Sequence, residues 1–313
     1  MSRKLRFGVQ TPPQNTTWQE LVSVWKTIDQ AGYDTAWVFD HFFPIFSDPS
    51  GPCFEAWVAL TALVLQTSKI EAGVLVTGNT YRHPPVLAKM AATLDHATGG
   101  RLILGIGAGW FEQEHKAYGI PFYTTAERIG RLDESIQIIK SLWTQPKTTF
   151  EGRYYSVKDA AAEPKPLRKP HPPVLIGAAG ERMNLKVVAK HADIWNTFGS
   201  PAVFSKKIQV LREHCANVGR NFDEIEISWA GFGVICDSKA MKQEVLSKVA
   251  ATWGRSVEEM EQSALVGTVD EIRARIDEFT RIGVTHFIVG ASSPFDHAGL
   301  RRFAAEVIPK VKS

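Results

Sequence analysis

The sequence predicts an α/β protein folded as a (β/α)8 TIM barrel, a single domain spanning residues 1–313. Three observations predict it. Strand and helix signals alternate from end to end, and about eight runs have strand length. Those runs are continuous in Val, Ile and Leu, as parallel strands buried on both faces require. With 313 residues, 44% of them hydrophobic, the chain has enough apolar material for one large core.

The elements follow in order. Arg6–Gln10 reads as the first strand. A helix opens on a capping box, Thr17 with Glu20 three residues on, and stops at Gly32. Its Leu21, Val22, Trp25 and Ile28 share one face. Further strands read at Thr35–Phe39, Ala72–Thr77, Leu102–Gly107, Pro173–Ala178, Asp193–Thr197, Glu226–Ile235 and Thr285–Val289. Helical spacing recurs at Val86, Leu87, Met90, Ala91 and Leu94, and again at Ile129, Leu132, Ile136, Ile139 and Trp143. A second capping box, Thr268 with Glu271, opens a helix whose Val269, Ile272, Ile276 and Phe279 lie on one side. Between the fourth helix and the fifth strand, residues 144–172 break the rhythm. A hairpin is expected there, with Thr149-Phe150 and Tyr154-Tyr155 flanking a Glu151-Gly152 turn, followed by a Pro/Lys/Arg-rich stretch. A loop this long serves a site or decorates the surface, and the sequence leaves both readings open.

Composition narrows the partners. The 36 basic and 33 acidic residues leave a net charge of +3, without the basic bias that nucleic acid or a membrane surface selects. A small anionic ligand remains compatible. Cys53, Cys215 and Cys236 have no metal or redox spacing, so they read as reduced thiols in a cytoplasmic protein. The basic start, Met1 to Phe7, leads into a strand without an apolar signal core. Ala56 to Leu65 is apolar but too short to span a bilayer. No His-x-His and no nucleophile elbow occurs, which argues against a barrel metallohydrolase and a serine or cysteine hydrolase.

The candidate site lies where strands end, because ligands of such barrels bind at the C-terminal face. Trp37-Val38-Phe39-Asp40-His41-Phe42 is an apolar run that stops at an acid and an imidazole. Either Asp40 caps the next turn and His41 is a satisfied polar residue, or both face a ligand. Three other strand ends favour the ligand. Ala72 to Asn79 carries an internal glycine and ends in Thr77, Gly78 and Asn79. Gly105-Ile106-Gly107-Ala108-Gly109-Trp110 runs into an acidic helix start with Glu112, Glu114 and His115. Ile176-Gly177-Ala178-Ala179-Gly180 passes through small residues toward a helix, a pattern that suits either a phosphate or a tight turn. Trp37, Phe39, Trp110, Trp195 and Trp229 stand beside strand ends, where most pack into the core and some could stack on a flat ring.

Together these segments resemble the luciferase-like flavin and deazaflavin oxidoreductase superfamily over nearly the whole chain. The likeness rests on Phe7-Gly8 with Pro12-Pro13, on Gly32-Tyr33-Asp34 leading to Trp37–Phe42, and on Thr77 to Pro84. It continues in Gly105 to Trp110, Glu114-His115, Tyr118-Gly119 and Pro173 to Gly177. It implies a branch using coenzyme F420, with FMN and oxygen chemistry as the alternative and a cofactor-binding protein without turnover as a rival of another class. The resemblance places Asp40 near the reactive ring and His41 between ring and substrate. It places a bulge with a non-proline cis peptide within Gly73–Leu75, so that Val74 and Leu75 back the ring. Thr77 and Asn79 would flank the ring, Gly107 and Gln113 would touch the cofactor, and Gly177, Ala178, Ala179 and Gly180 would hold its phosphate. Deazaflavin sugar-phosphate dehydrogenases carry glutamate where this chain has Trp110 and tryptophan where it has Ile45, so Glu114 is the nearest carboxylate to their acid. Pairing through outer helices into a homodimer is a further implication, and no metal is expected.

Overall fold

A computed structural model describes residues 4–312; Met1 to Arg3, part of the basic start read above, lie outside the described residues. Eight parallel strands close into a barrel: β1 (Arg6–Gln10), β2 (Thr35–Val38), β3 (Glu71–Val74), β4 (Leu102–Gly107), β5 (Val174–Gly177), β6 (Ile194–Thr197), β7 (Glu226–Ile235) and β8 (Val284–Gly290). Neighbours in sequence pair around the ring, and β1 with β8 closes it through Arg6↔His286 to Gln10↔Gly290. Helices cover the outside, among them α1 (Trp18–Ala31), α2 (Ala56–Val64), α3 (Pro84–Ala97), the short α4 (Glu112–Ala117) and α5 (Thr125–Thr144). The capping boxes expected at Thr17 and Thr268 both form, as do two more at Thr124 and Ser256.

Two apolar layers hold this arrangement. Between strands and helices lie Phe7, Trp25, Trp195, Phe204, Trp229 and Phe279, all buried. Inside the barrel a smaller cluster of Trp37, Leu75, Ile103, Leu175, Ile194 and Ile288 fills the lumen. The backbone of β4 and the Trp37 indole explain the glycine in β3. A Cβ on Gly73 would sit 2.3 Å from the Ile103 carbonyl oxygen and 2.7 Å from Trp37 Cζ3. The close approach that the glycine serves is therefore to the next strand and a core side chain, not to a ligand.

Beneath Trp37, its indole N–H donates to Thr35 Oγ1 at 2.8 Å, and Thr35 Oγ1 faces His286 Nε2 at 2.9 Å. Burial holds the His286 imidazole well below its ordinary value. The unfolded chain therefore takes up that proton first, so the contribution is complete above about pH 6.5 and is lost as pH falls below it. Urea unfolding should show a slope of up to about 1.4 kcal/mol per pH unit from this group between pH 6.5 and 5. His286→Leu should flatten it; an unchanged slope would assign the acid sensitivity elsewhere.

Two segments depart from the sequence reading. The hairpin forms from Thr148–Glu151 and Ser156–Ala160, so Tyr154 and Tyr155 lie in the turn rather than in the second strand. The cause is Glu134 on α5, whose carboxylate accepts the amides of Arg153, Tyr154 and Tyr155. This docking brings the tyrosines beside Tyr81 and Arg82, where they help line a cleft of about 360 Å³. The second departure was not foreseen. Strand β7 runs past the barrel, and Gly233–Ile235 pairs with a short strand Leu265–Gly267. Between them stand α8 (Lys239–Trp253) and α9 (Val257–Ser263), packed around their own core of Cys236, Leu246, Ala250, Met260 and Val266. Helix α8 buries only Leu246 and Ala250, too little for a periodic signal to show.

Candidate active site

Strand β2 ends at Val38, and the three residues after it turn into the barrel mouth. Asp40 is 3% exposed and accepts from both ends of one guanidinium, Arg82 Nη1 at 2.6 Å and Nη2 at 3.0 Å. The Gly78 amide adds a third bond at 3.0 Å. Burial raises the Asp40 carboxyl above its ordinary value, opposed by the charge and hydrogen bonds of Arg82. Arg82 also bonds Glu55, so one cation ties β2, the loop after β3 and the start of α2 together.

His41 belongs to a second buried pair. Its Nδ1 lies 2.9 Å from Glu114 Oε2 on α4. Glu114 has no exposed side-chain surface and also accepts from the Phe42 amide and the Tyr81 hydroxyl. Burial alone would raise this carboxyl, but those three donors outweigh it and hold it below its ordinary value. An ionised Glu114 fixes the His41 tautomer: Nδ1 carries the proton and Nε2 is left with no protein partner among the described residues. The edges of Phe39, Trp110 and Phe111 surround the imidazole at centroid distances of 4.8, 5.9 and 5.7 Å. Cys53, whose thiol donates to the His41 carbonyl, is pushed up to about 12 by burial and by the nearby Glu114 and Asp40. It stays a neutral thiol.

The non-proline cis bond joins Leu75 to Val76, one bond beyond the Gly73–Leu75 range expected. It interrupts the strand, which resumes as Thr77–Gly78 against β4. Val74 packs toward the helices, whereas Leu75 and, half-buried against the same lumen cluster, Val76 face the barrel interior. The Val76 side chain seats between two glycines, since a Cβ on Gly107 would come within 2.8 Å of Val76 Cγ2 and one on Gly177 within 3.0 Å of Cγ1. Both glycines thus have a packing reason to be glycine, whatever binds above them. Gly107→Ala should cost about 1–3 kcal/mol in urea unfolding, and Val76→Ala in the same chain should recover most of it. A Gly107→Ala protein of native stability would show that Val76 can move aside.

Polar atoms at the strand ends are left over. Thr77 Oγ1, both amide atoms of Asn79 and Thr197 Oγ1 are buried without a hydrogen-bond partner. Buried polar groups are rarely left so, and a polar heterocycle is a fitting partner for the three atoms of Thr77 and Asn79 at the end of the third strand, with Thr197 across the mouth at the end of β6. In the Gly177–Gly180 turn, the Ala178 amide already donates to the Asn196 carbonyl at 3.0 Å, leaving those of Ala179 and Gly180 for an anion. The helix behind it, α6 (Asn184–His191), starts three residues later than the turn. Lys207, from α7 (Pro201–Asn217), reaches the Ala179 carbonyl and supplies positive charge instead, shared with Glu181. Gln113 is exposed, one residue round α4 from the buried Glu114.

The structure therefore gathers Asp40, His41, Glu114, Thr77, Asn79 and the Gly177–Gly180 turn at one end of the barrel. Arg82, Tyr81, Val76, Thr197 and Lys207 were missed. Tyr81 and Arg82 stood inside a recognised segment, but nothing local says that Tyr81 reaches Glu114 or Arg82 reaches Asp40. Among the described residues, no group of three or more His, Cys, Asp or Glu is placed to hold a metal ion, and no helix is long and apolar enough to cross a membrane.

Fold and site define a (β/α)8 barrel whose C-terminal face carries two buried ion pairs and a set of unsatisfied polar groups. Residues 5–258 match the family model of the luciferase-like monooxygenases, and the chain belongs to that family. It is 27% identical to the F420-dependent glucose-6-phosphate dehydrogenase of Microbacterium testaceum strain StLB037, over 100% of this chain and 99% of that one. It is 30% identical to the FMNH(2)-dependent dimethylsulfone monooxygenase of Pseudomonas putida over 61% of this chain and 51% of that protein. A solved F420-dependent secondary alcohol dehydrogenase superposes with a TM-score of 0.86 at 20% identity, covering 99% of this chain and 100% of its own.

Proposed function

We propose that the protein is a coenzyme F420-dependent oxidoreductase that exchanges a hydride between the deazaflavin and a small organic substrate. The observation that carries this is the fixed His41 imidazole, its Nε2 unpartnered, beside buried and unsatisfied Thr77 and Asn79. Full-length likeness to an F420-dependent relative supports this cofactor over FMN, for which the likeness covers about half of the relative.

Two-electron hydride chemistry is what a bound deazaflavin supplies. The chain does the rest. Thr77, Asn79 and Thr197 would hydrogen-bond the ring, and the Ala179 and Gly180 amides with Lys207 would hold the phosphate. Asp40, fixed by Arg82, would orient against the ring. His41 Nε2 gives or takes the substrate proton, while Glu114 fixes the imidazole. The binding role proposed for Val74 reduces to its backbone, Leu75 would meet the ring from the lumen side, and Gln113 keeps a role only if the ligand reaches the outer side of α4.

The three cysteines, all unpaired, support a cytoplasmic location. Val58 and Leu65 stand exposed on and beside α2, next to a groove lined by Trp18, Val22 and Ala62, which supports a homodimer through α1 and α2. The pairing of β1 with β8, from the two ends of the chain, supports one domain.

Titrating the protein separately with F420 and FMN, followed by visible absorption and fluorescence, tests the assignment. Saturable F420 binding with weak or no FMN binding is expected. Preference for FMN would move the protein to the monooxygenase reading, and binding without any turnover of a substrate panel would leave a carrier.

A further inference from the structure

The proposed proton transfer leaves one feature of the mouth unused. Phe46 from the β2 loop stacks on Trp110 with ring centroids 6.1 Å apart and 21° between planes. Its other neighbour is Trp253, at the end of α8, at 5.2 Å and 42°. Trp253 in turn meets Phe232 edge-on at 5.9 Å. These rings come from three segments far apart in sequence, yet Phe46 stays 56%, Trp110 55% and Trp253 42% exposed. Contiguous exposed aromatic surface of this kind marks a binding site rather than a core. It is also continuous with the reacting end, because Trp110 packs edge-on against His41.

The charges of the proposed site are engaged. Glu114 is fully buried, Arg82 is held by Asp40 and Glu55, and Lys207 by Ala179 and Glu181. Arg255, which follows α8, lies over the Phe198 ring at 5.6 Å without an ion pair among the described residues. The aromatic surface itself presents no charge.

We propose that Phe46, Trp110 and Trp253 form the specificity-determining subsite for the substrate, and that the substrate is an uncharged molecule with an apolar ring. It stacks on Trp110 and Phe46 and points its reacting group at His41 Nε2. The extra helices α8 and α9 exist at this rim to present Trp253. This deepens the oxidoreductase reading and rests on it, but the subsite can be tested apart from the cofactor.

The test is binding of 1-naphthol, with glucose 6-phosphate as the charged comparator, followed by quenching of tryptophan fluorescence and by calorimetry, with and without F420. Naphthol should bind and glucose 6-phosphate should not. Phe46→Ala and Trp110→Ala should each weaken naphthol at least tenfold, with F420 affinity unchanged and the far-ultraviolet spectrum native. Trp110→Leu, which keeps apolar volume, should lie between. Naphthol binding that survives the Phe46→Ala/Trp110→Ala double change overturns the subsite, as does no binding to the parent protein. Glucose 6-phosphate binding that Arg255→Ala abolishes overturns it in favour of an anionic substrate. Naphthol binding at these rings in a protein that ignores F420 would sink the cofactor reading and leave the subsite standing.

Discussion

His41→Ala is expected to cut turnover by about 10²- to 10⁴-fold, the range for loss of a positioned general acid or base, while F420 affinity changes little. The argument is geometric. Glu114 holds Nδ1, is itself held by Phe42 and Tyr81, and leaves only Nε2 for the substrate. Glu114→Gln tests the same chain of bonds one step back: it keeps an acceptor for the Phe42 amide but removes the negative charge that faces Nδ1. Turnover should fall by less than in His41→Ala, and the pH profile should shift. In the parent protein the Glu114 carboxyl is depressed, so the pair is intact above the ordinary carboxylate range and is lost as pH falls through the lowered value. Single-turnover hydride transfer followed at the cofactor absorbance separates these effects from product release. Unchanged turnover in His41→Ala would remove the imidazole from the mechanism.

Arg82→Ala is expected to cost about 3–5 kcal/mol of stability, because it leaves a buried carboxyl without its counter-charge. Asp40 would have to take up a proton to remain inside. The sign follows: the unfolded carboxyl ionises near pH 4 and the folded one stays protonated, so the loss grows as pH rises above about 4 and is smallest in acid. Urea unfolding at pH 4.5 and 8 reads this directly. Arg82→Leu combined with Asp40→Leu removes both charges and should lose less than Arg82→Ala alone. A single variant as stable as the parent at pH 8 would mean that Asp40 is served by Gly78 and solvent rather than by Arg82.

How much of this was legible varies with how local each signal is. Strands such as Leu102–Gly107 and helices such as Val269–Arg281 announce themselves through runs, periodicity and caps within a dozen residues. Asp40 and His41 stood out because an apolar run stopped at them. Helix α8 did not, since its buried face is two residues wide and is completed by α9. Gly73, Gly107 and Gly177 were visible as glycines, but their reasons, Ile103, Trp37 and Val76, lie on other strands.

By itself the sequence determined the alternation of strands and helices, their closure into a barrel of about eight strands, and the strand end on which the acid and imidazole stand. Those follow from hydrophobic period and from caps, which act between neighbours along the chain. Only the tertiary structure decided that Asp40 pairs with Arg82 and His41 with Glu114, residues 42 and 73 positions away. It also decided that Ala178 is already bonded and that Phe46, Trp110 and Trp253 meet. Partners of that kind are chosen by which loops the closed barrel brings to one face, and no interval along the chain encodes that.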